Sequence, residues 1–372
     1  MLLMRRLVRK IICLSFFLTA PLVWIPAASA SLIFNLNAGS SMNPQALAGF
    51  QSAADRWSSL LVDAVTVNIN VNFTSLGSSI LGQSSQTESI LNYSTVRVAM
   101  IADAKSLNDL TAIGGLPVSS IPLYINGTRD NPNGSGSLTP YLDNNGAANN
   151  TSIRITTANQ KALGLLAANA SGVDASISFN SDFAFDFNPN DGITAGQYDF
   201  VGVATHEIGH ALGFVSGVDV LDTNSPGANG PFLAAQFTYV SPLDLFRFSS
   251  GSVAALPGAR DWSADTRTKY FSIDGGNTFL TQFSTGVTHG DGNQASHWKG
   301  NMGIGIMDPA VAAGQLLAIS ALDTEAMDVI GWDLAPVPEL GTMALCASAV
   351  VFLFYRDRRA VTPFAAQTEP LS

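Results

Sequence analysis

Thr205-His206-Glu207-Ile208-Gly209-His210-Ala211-Leu212-Gly213-Phe214 is the stretch on which the reading of this chain turns. It lies in an apolar-periodic run, roughly 198–213, that predicts a helix closed by Gly213. Residues four apart on a helix share a face, one turn apart, so His206 and His210 can aim their imidazole nitrogens at one ion. Glu207 projects from the adjoining side, within reach of a water beside that ion. The residue types suit hydrolysis. Neutral imidazoles bind a divalent metal without cancelling its charge, so the ion can acidify water and polarise a carbonyl. A carboxylate can take the released proton and pass it to the leaving group. With four histidines and five glutamates among 372 residues, chance assembly of this spacing is improbable. The bland alternative is a helix that carries these residues on a polar face.

A catalytic zinc site has three protein ligands as a rule, so a third must be found. A compact site would put a histidine six residues after His210, but that position is Ser216. Asp219 lies nine residues on. A site completed by a distant glutamate has Glu325 as its candidate, inside an apparently amphipathic helix. His289 and His297 are the other two histidines of the chain, and spacing alone does not separate them.

Outward from this stretch the pattern is α+β. Asn43-Pro44 reads as an N-cap and first helical residue, followed by Phe50, Ala54, Trp57 and Leu61 at helical spacing. Val65, Val67, Ile69, Val71 and Phe73 alternate with polar residues and predict a half-buried strand. Residues 95–102 suggest a second strand or a strand-to-helix join, and 104–113 a short helix. Residues 126–150 read as a long irregular loop. A short strand follows at Ile153 and Ile155, then a helix over 157–169. Ile177 to Phe187 alternates strongly and predicts one strand, with an edge-strand role against an extended peptide as one use for it. Residues 215–316 show little periodicity. A last helix starts near Ser320, with Asp323 three residues on, and stops at Gly331.

The ends differ from the middle. Met1–Lys10 is basic, an apolar stretch runs from Ile11 to about Pro26, and Ala28-Ser29-Ala30 is an A-x-A site, so residues 1–30 read as a secretory signal. Near the other end an apolar run, Met343 to Tyr355, precedes Arg356-Asp357-Arg358-Arg359. That run is short for a membrane span and predicts a transient membrane tether. Between the ends, residues 31–336 hold 11 Lys and Arg against 25 Asp and Glu, a net charge of −14. A surface this acidic excludes nucleic acid as a partner, because phosphate binding needs basic residues. The two cysteines, Cys13 and Cys346, both fall in the end segments, so this middle part folds without a disulfide. Asp186-Phe187-Asn188-Pro189-Asn190-Asp191-Gly192 has the composition of a calcium loop, but its Gly is one place late and no Glu closes it. A solvated turn is the better reading, with Ca²⁺ kept as a second candidate ion.

The stretch His206 to Phe214 resembles the leishmanolysin branch of the metzincin zinc metalloproteases. Ser296-His297-Trp298, then Gly305-Ile306-Met307-Asp308-Pro309, and the closing Ile319 to Trp332 carry the likeness further, as does the early unit from Ala53 to Phe73. The resemblance implies a zincin-like fold over residues 31–335. A twisted mixed sheet with the active-site helix would fill 31–214, and an irregular subdomain ending in a helix would fill 215–335, with the cleft between them. It implies that His297 is the third zinc ligand, that Met307 forms an apolar floor under the ion, and that Glu207 acts as general base on protein or peptide substrates. No residue is assigned to substrate side chains. Residues 336–360 resemble a PEP-CTERM sorting segment of Gram-negative bacteria, which implies export across the inner membrane and exosortase-type processing. Leu340 stands where that signal has its last Pro, and residues 361–372 form a tail beyond the basic cluster. The competing expectation is an exported surface or matrix protein without catalysis, its zinc closed off by a fourth protein ligand.

Overall fold

The computed structural model describes residues 31–39, 42–77, 80–225 and 231–336. The signal-like N-terminus and the apolar C-terminal run lie outside these residues. In chain order the elements are β1 (Ile33–Ala38), α1 (Pro44–Ser58), β2 (Thr66–Thr74), β3 (Gly82–Gln86), β4 (Glu88–Asn92), α2 (Tyr93–Asp103) and α3 (Leu107–Gly114). Then come β5 (Leu123–Ile125), β6 (Tyr141–Asp143), α4 (Ala148–Thr151), β7 (Ser152–Thr156), α5 (Thr157–Ala162), β8 (Ala175–Asn180), β9 (Phe185–Asp186) and β10 (Tyr198–Asp199). The rest are α6 (Phe200–Leu212), α7 (Val218–Asn224), β11 (Arg247–Phe248), α8 (Ser250–Ala255), β12 (Arg260–Asp261), β13 (Lys269–Phe271), β14 (Thr281–Phe283) and α9 (Ala321–Val329). The architecture is mixed α+β, with several small sheets.

The principal sheet has the order β1-β2-β8-β3, with β1, β2 and β8 parallel and β3 antiparallel at the edge. Two helices cover one face. α1 begins where its sequence signals put it: Asn43 accepts from the Gln45 and Ala46 amides, and Pro44 takes the first position. It packs across α6 at Gly49, where a Cβ would lie 2.4 Å from the Phe200 ring, so glycine sets the closeness of the two helices. Phe50, Phe179 and Phe200 fill the space between helices and sheet, with ring centroids 4.6–5.2 Å apart. All three are fully buried, and each such ring contributes about 1.5–3 kcal/mol through burial. Lys161 and Asp174, both buried, pair at 2.6 Å, and Lys161 also donates to the Thr66 and Ala170 carbonyls. This ties α5 to the starts of β2 and β8.

Several expectations need correction. Residues 95–102 are helical throughout, because Tyr93, Val96 and Met100 face inward at helical spacing while Val98 is exposed. The helix expected over 157–169 ends at Ala162, and Gly164 takes the left-handed conformation. The alternation over 177–187 belongs to two strands: β8 stops at Asn180, whose side chain accepts from the Leu76 and Asp182 amides and turns the chain. β8 is also internal, so the edge position falls to β3 instead. The irregular 126–150 segment contains β6 and α4. Strands β3 and β4 had no counterpart in the sequence reading. The small sheet β12-β5-β6 joins chain from both sides of residue 214.

Candidate metal centre

The three candidate ligands come from two distant parts of the chain and meet. The Nε2 atoms of His206 and His210 lie 3.1 Å apart, and that of His297 is 3.2 Å from each. Each ring's other nitrogen faces a backbone carbonyl: His206 Nδ1 with Ile306 O at 2.7 Å, His210 Nδ1 with Phe214 O at 2.7 Å, His297 Nδ1 with Gln294 O at 3.2 Å. A carbonyl only accepts, so each Nδ1 carries the hydrogen and each Nε2 presents a lone pair. Three lone pairs converging on one point repel unless a cation stands among them. An ion about 2.0–2.1 Å from each nitrogen would see these separations at roughly 100°, near the tetrahedral angle. The residues therefore fit a divalent metal, and they are the one such group of potential ligands among the described residues.

Local structure explains the convergence. Asp199 caps α6 by accepting from the Gly202 amide at 2.8 Å. Gly213, at φ +122°, turns the chain back so that Phe214 O meets His210. Trp57 donates its indole N–H to Thr205 O at 2.8 Å, fixing α6 against α1. Met307 is fully buried and its sulfur packs against Gly209, between the two helical ligands. A Cβ at Gly209 would lie 2.5 Å from Met307 Sδ, so glycine lets the methionine sit this close to the helix.

Burial, and then the nearby His206 and His297, hold His210 well below its ordinary pKa. Burial and His206 lower His297 to about 3. Both rings are therefore neutral, the form that ligates. Burial raises Glu207, opposed by the nearby His206 and by Ser84 of β3, which lines the same cleft. His206, Glu207, His210 and His297 all line one cleft of about 790 Å³, whose walls include residues 80–84 and 86, Val203, residues 309–311 and Leu317.

The other candidates lie elsewhere. His289 faces Ser225 O through its Nε2, away from the cluster. The Asp219 carboxylate is taken up by the Ala295 and Ser296 amides and the Ser296 hydroxyl. Glu325 is no part of the cluster. Asp186 accepts from the Asn188 and Thr194 amides and the Thr194 hydroxyl, which closes the acidic loop into a turn. Sequence reasoning missed Ser84, because Gly82-Gln83-Ser84-Ser85-Gln86 lacks the apolar alternation that marks a strand.

No protein-family model matches the chain. No curated protein and no solved structure gives a match either.

Proposed function

We propose that this chain is an exported zinc endopeptidase of the leishmanolysin-like branch of the metzincins. The observation that carries the reading is the trio of converging Nε2 atoms opening onto a cleft that also holds the buried Glu207 carboxylate. Three imidazoles with no fourth protein ligand among the described residues favour a catalytic over a closed structural site. A divalent ion held there lowers the pKa of water and polarises a peptide carbonyl.

The chain's own residues do the rest. Glu207, in a low-dielectric pocket, takes the proton of the attacking water and delivers it to the departing amide nitrogen. The outer edge of β3 offers unpaired backbone groups to an extended peptide, which would add as an antiparallel strand. β3 starts beside the N-terminal end of α6, since Gly82 pairs with Phe179 and the Phe179 ring lies 4.6 Å from that of Phe200. An antiparallel peptide therefore points its carboxyl side at Ile80, Leu81, Val203 and Leu317, which favours an apolar residue after the scissile bond. An acidic surface leaves nucleic acid out as substrate. Export, membrane tethering and C-terminal processing rest on residues 1–30 and 336–360 of the sequence.

The test is cleavage of a peptide library by purified protein, with and without chelator and with zinc restored. Wild type should cut, chelation should stop it, and Glu207→Gln should keep its zinc while losing about 10²–10⁴-fold in kcat. Zinc binding without any cleavage by wild type would refute the proposal.

A further inference from the structure

His297 sits in a long segment without regular structure, yet its ring must meet two helical histidines to within a few tenths of an ångström. α7, immediately beyond the ligand helix, is the element that docks this segment. Its two buried or half-buried carboxylates, Asp219 and Asp222, stand three residues apart on one face. Asp222 accepts from the Thr288 and His289 amides at 2.7 and 2.8 Å. Asp219 accepts from the Ala295 amide at 2.6 Å and from the Ser296 amide at 3.1 Å, and its Oδ2 also takes the Ser296 hydroxyl hydrogen. Ser296 Oγ in turn accepts from the Ser216 amide at 2.8 Å. Ser216 and Gly217 are themselves held by buried Asp244, which accepts the Ser216 hydroxyl at 2.6 Å and the Gly217 amide at 2.9 Å. Gly217 admits no side chain, since a Cβ would lie 1.8 Å from Tyr239 O. The chain leaving α6 is thus bonded directly to the two residues that precede His297.

We infer that Asp219 is a positioning residue for the third metal ligand: it fixes the backbone at Ala295 and Ser296 so that His297 already faces His206 and His210 before an ion arrives. This rests on the proposed metal centre but not on peptide cleavage. Without the carboxylate, two backbone amides and a hydroxyl lose their acceptor at the root of the ligand. The ion would then have to order this segment on binding, and affinity would fall. Asp222 supplies the matched control, because it makes the same kind of contact from the same helix, but to His289, which lies outside the cluster.

The experiment uses the full chain with Co²⁺ as the probe, measuring affinity by competition with a chelator and coordination by the visible d–d absorption. Thermal unfolding of the metal-free protein runs in parallel. Asp219→Ala should weaken Co²⁺ binding by at least tenfold, the range seen when supports of metal ligands are removed, and should change the band intensity as His297 drops out. Asp222→Ala should lower the melting temperature by a similar amount while leaving affinity within about threefold and the spectrum unchanged. Ser296→Ala, a milder change, should fall between wild type and Asp219→Ala in affinity, and keeps the question answerable if Asp219→Ala does not fold. Wild-type affinity and spectrum in both Asp219→Ala and Ser296→Ala, or equal loss of affinity in the Asp219 and Asp222 variants, would overturn the inference. Cobalt binding that behaves as expected in a protein that cuts no peptide would leave it standing and remove only the enzymatic reading.

Discussion

Replacing Asp323 by Ala should be among the most damaging single changes in the described core. The residue is fully buried and its carboxylate serves four donors. Oδ1 accepts from the Trp298 indole at 2.8 Å and the Met307 amide at 3.2 Å, while Oδ2 accepts from the Ile306 amide at 2.8 Å and the Ser320 amide at 2.7 Å. Alanine leaves all four N–H groups without a partner, and an orphaned buried donor costs about 1–3 kcal/mol. The terms are not additive, since water can enter the space and the cost of burying the charge is recovered. The expected loss is about 4 kcal/mol, the upper end for a point change. Asparagine should recover less than half, because its one oxygen serves two donors at best and its amide group faces the others. The assay is urea unfolding of metal-free wild type and variants at pH 7, comparing midpoints at constant slope. Because Ile306 O also accepts from His206 Nδ1, the variants should bind the ion more weakly as well. A loss below about 1 kcal/mol for Asp323→Ala, against the 1–3 kcal/mol of a single orphaned donor, would refute this account of the turn at 305–307.

Two further changes test other parts of the structure. Gly209→Ala puts a Cβ 2.5 Å from Met307 Sδ, so despite the better helix propensity of alanine it should cost about 1–3 kcal/mol through overpacking, read as a lower melting temperature; an unchanged or higher value would show that Met307 moves freely. Asp63, buried beside Asp333 and Asp103, has its pKa raised to about 7, chiefly by burial. A carboxyl whose folded pKa lies above its unfolded one holds its proton longer in the folded state, so its contribution to stability declines as pH rises from about 4 to 7. Asp63→Asn can still accept the Asp333 amide and should gain on the order of 1–3 kcal/mol relative to wild type at pH 8, and much less at pH 4; equal shifts at both values would exclude the charge as the cause.

What could be read from the sequence was what depends on local spacing. The helix carrying His206 and His210 shows itself because its ligands are four residues apart, and α1, β2 and α9 announce themselves through a cap, an alternation and a capping box. Failures came where the decisive contact is distant or the signal is ambiguous. The β-branched run at 95–102 was open to either period until Tyr93, Val96 and Met100 found a core to face. β3 escaped notice because its half-covered positions are Gly82, Ser84 and Gln86 rather than apolar residues, so its alternation is invisible and it looks like a loop. The continuous pattern from Ile177 to Phe187 hid a turn made by a side chain, Asn180, that breaks the ladder from within.

The choice between His289 and His297 shows the same limit in sharper form. Eight residues apart in a segment without period, the two could not be told apart by spacing, and only a family resemblance favoured the second. In the folded chain they are held by consecutive acids of one helix, Asp222 for the first and Asp219 for the second. Both loops are anchored through backbone amides, which every residue has, so the anchoring leaves no mark in the identity of the residues anchored. What differs is direction: the His289 ring turns to Ser225 O, and the His297 ring turns to two other lone pairs. The His297 Nε2 lies 3.2 Å from those of His206 and His210, where one divalent ion could take all three, and that convergence singles out His297 on physical grounds. A ligand whose backbone is held in this way costs less entropy to recruit to an ion than one that must be gathered from a free loop.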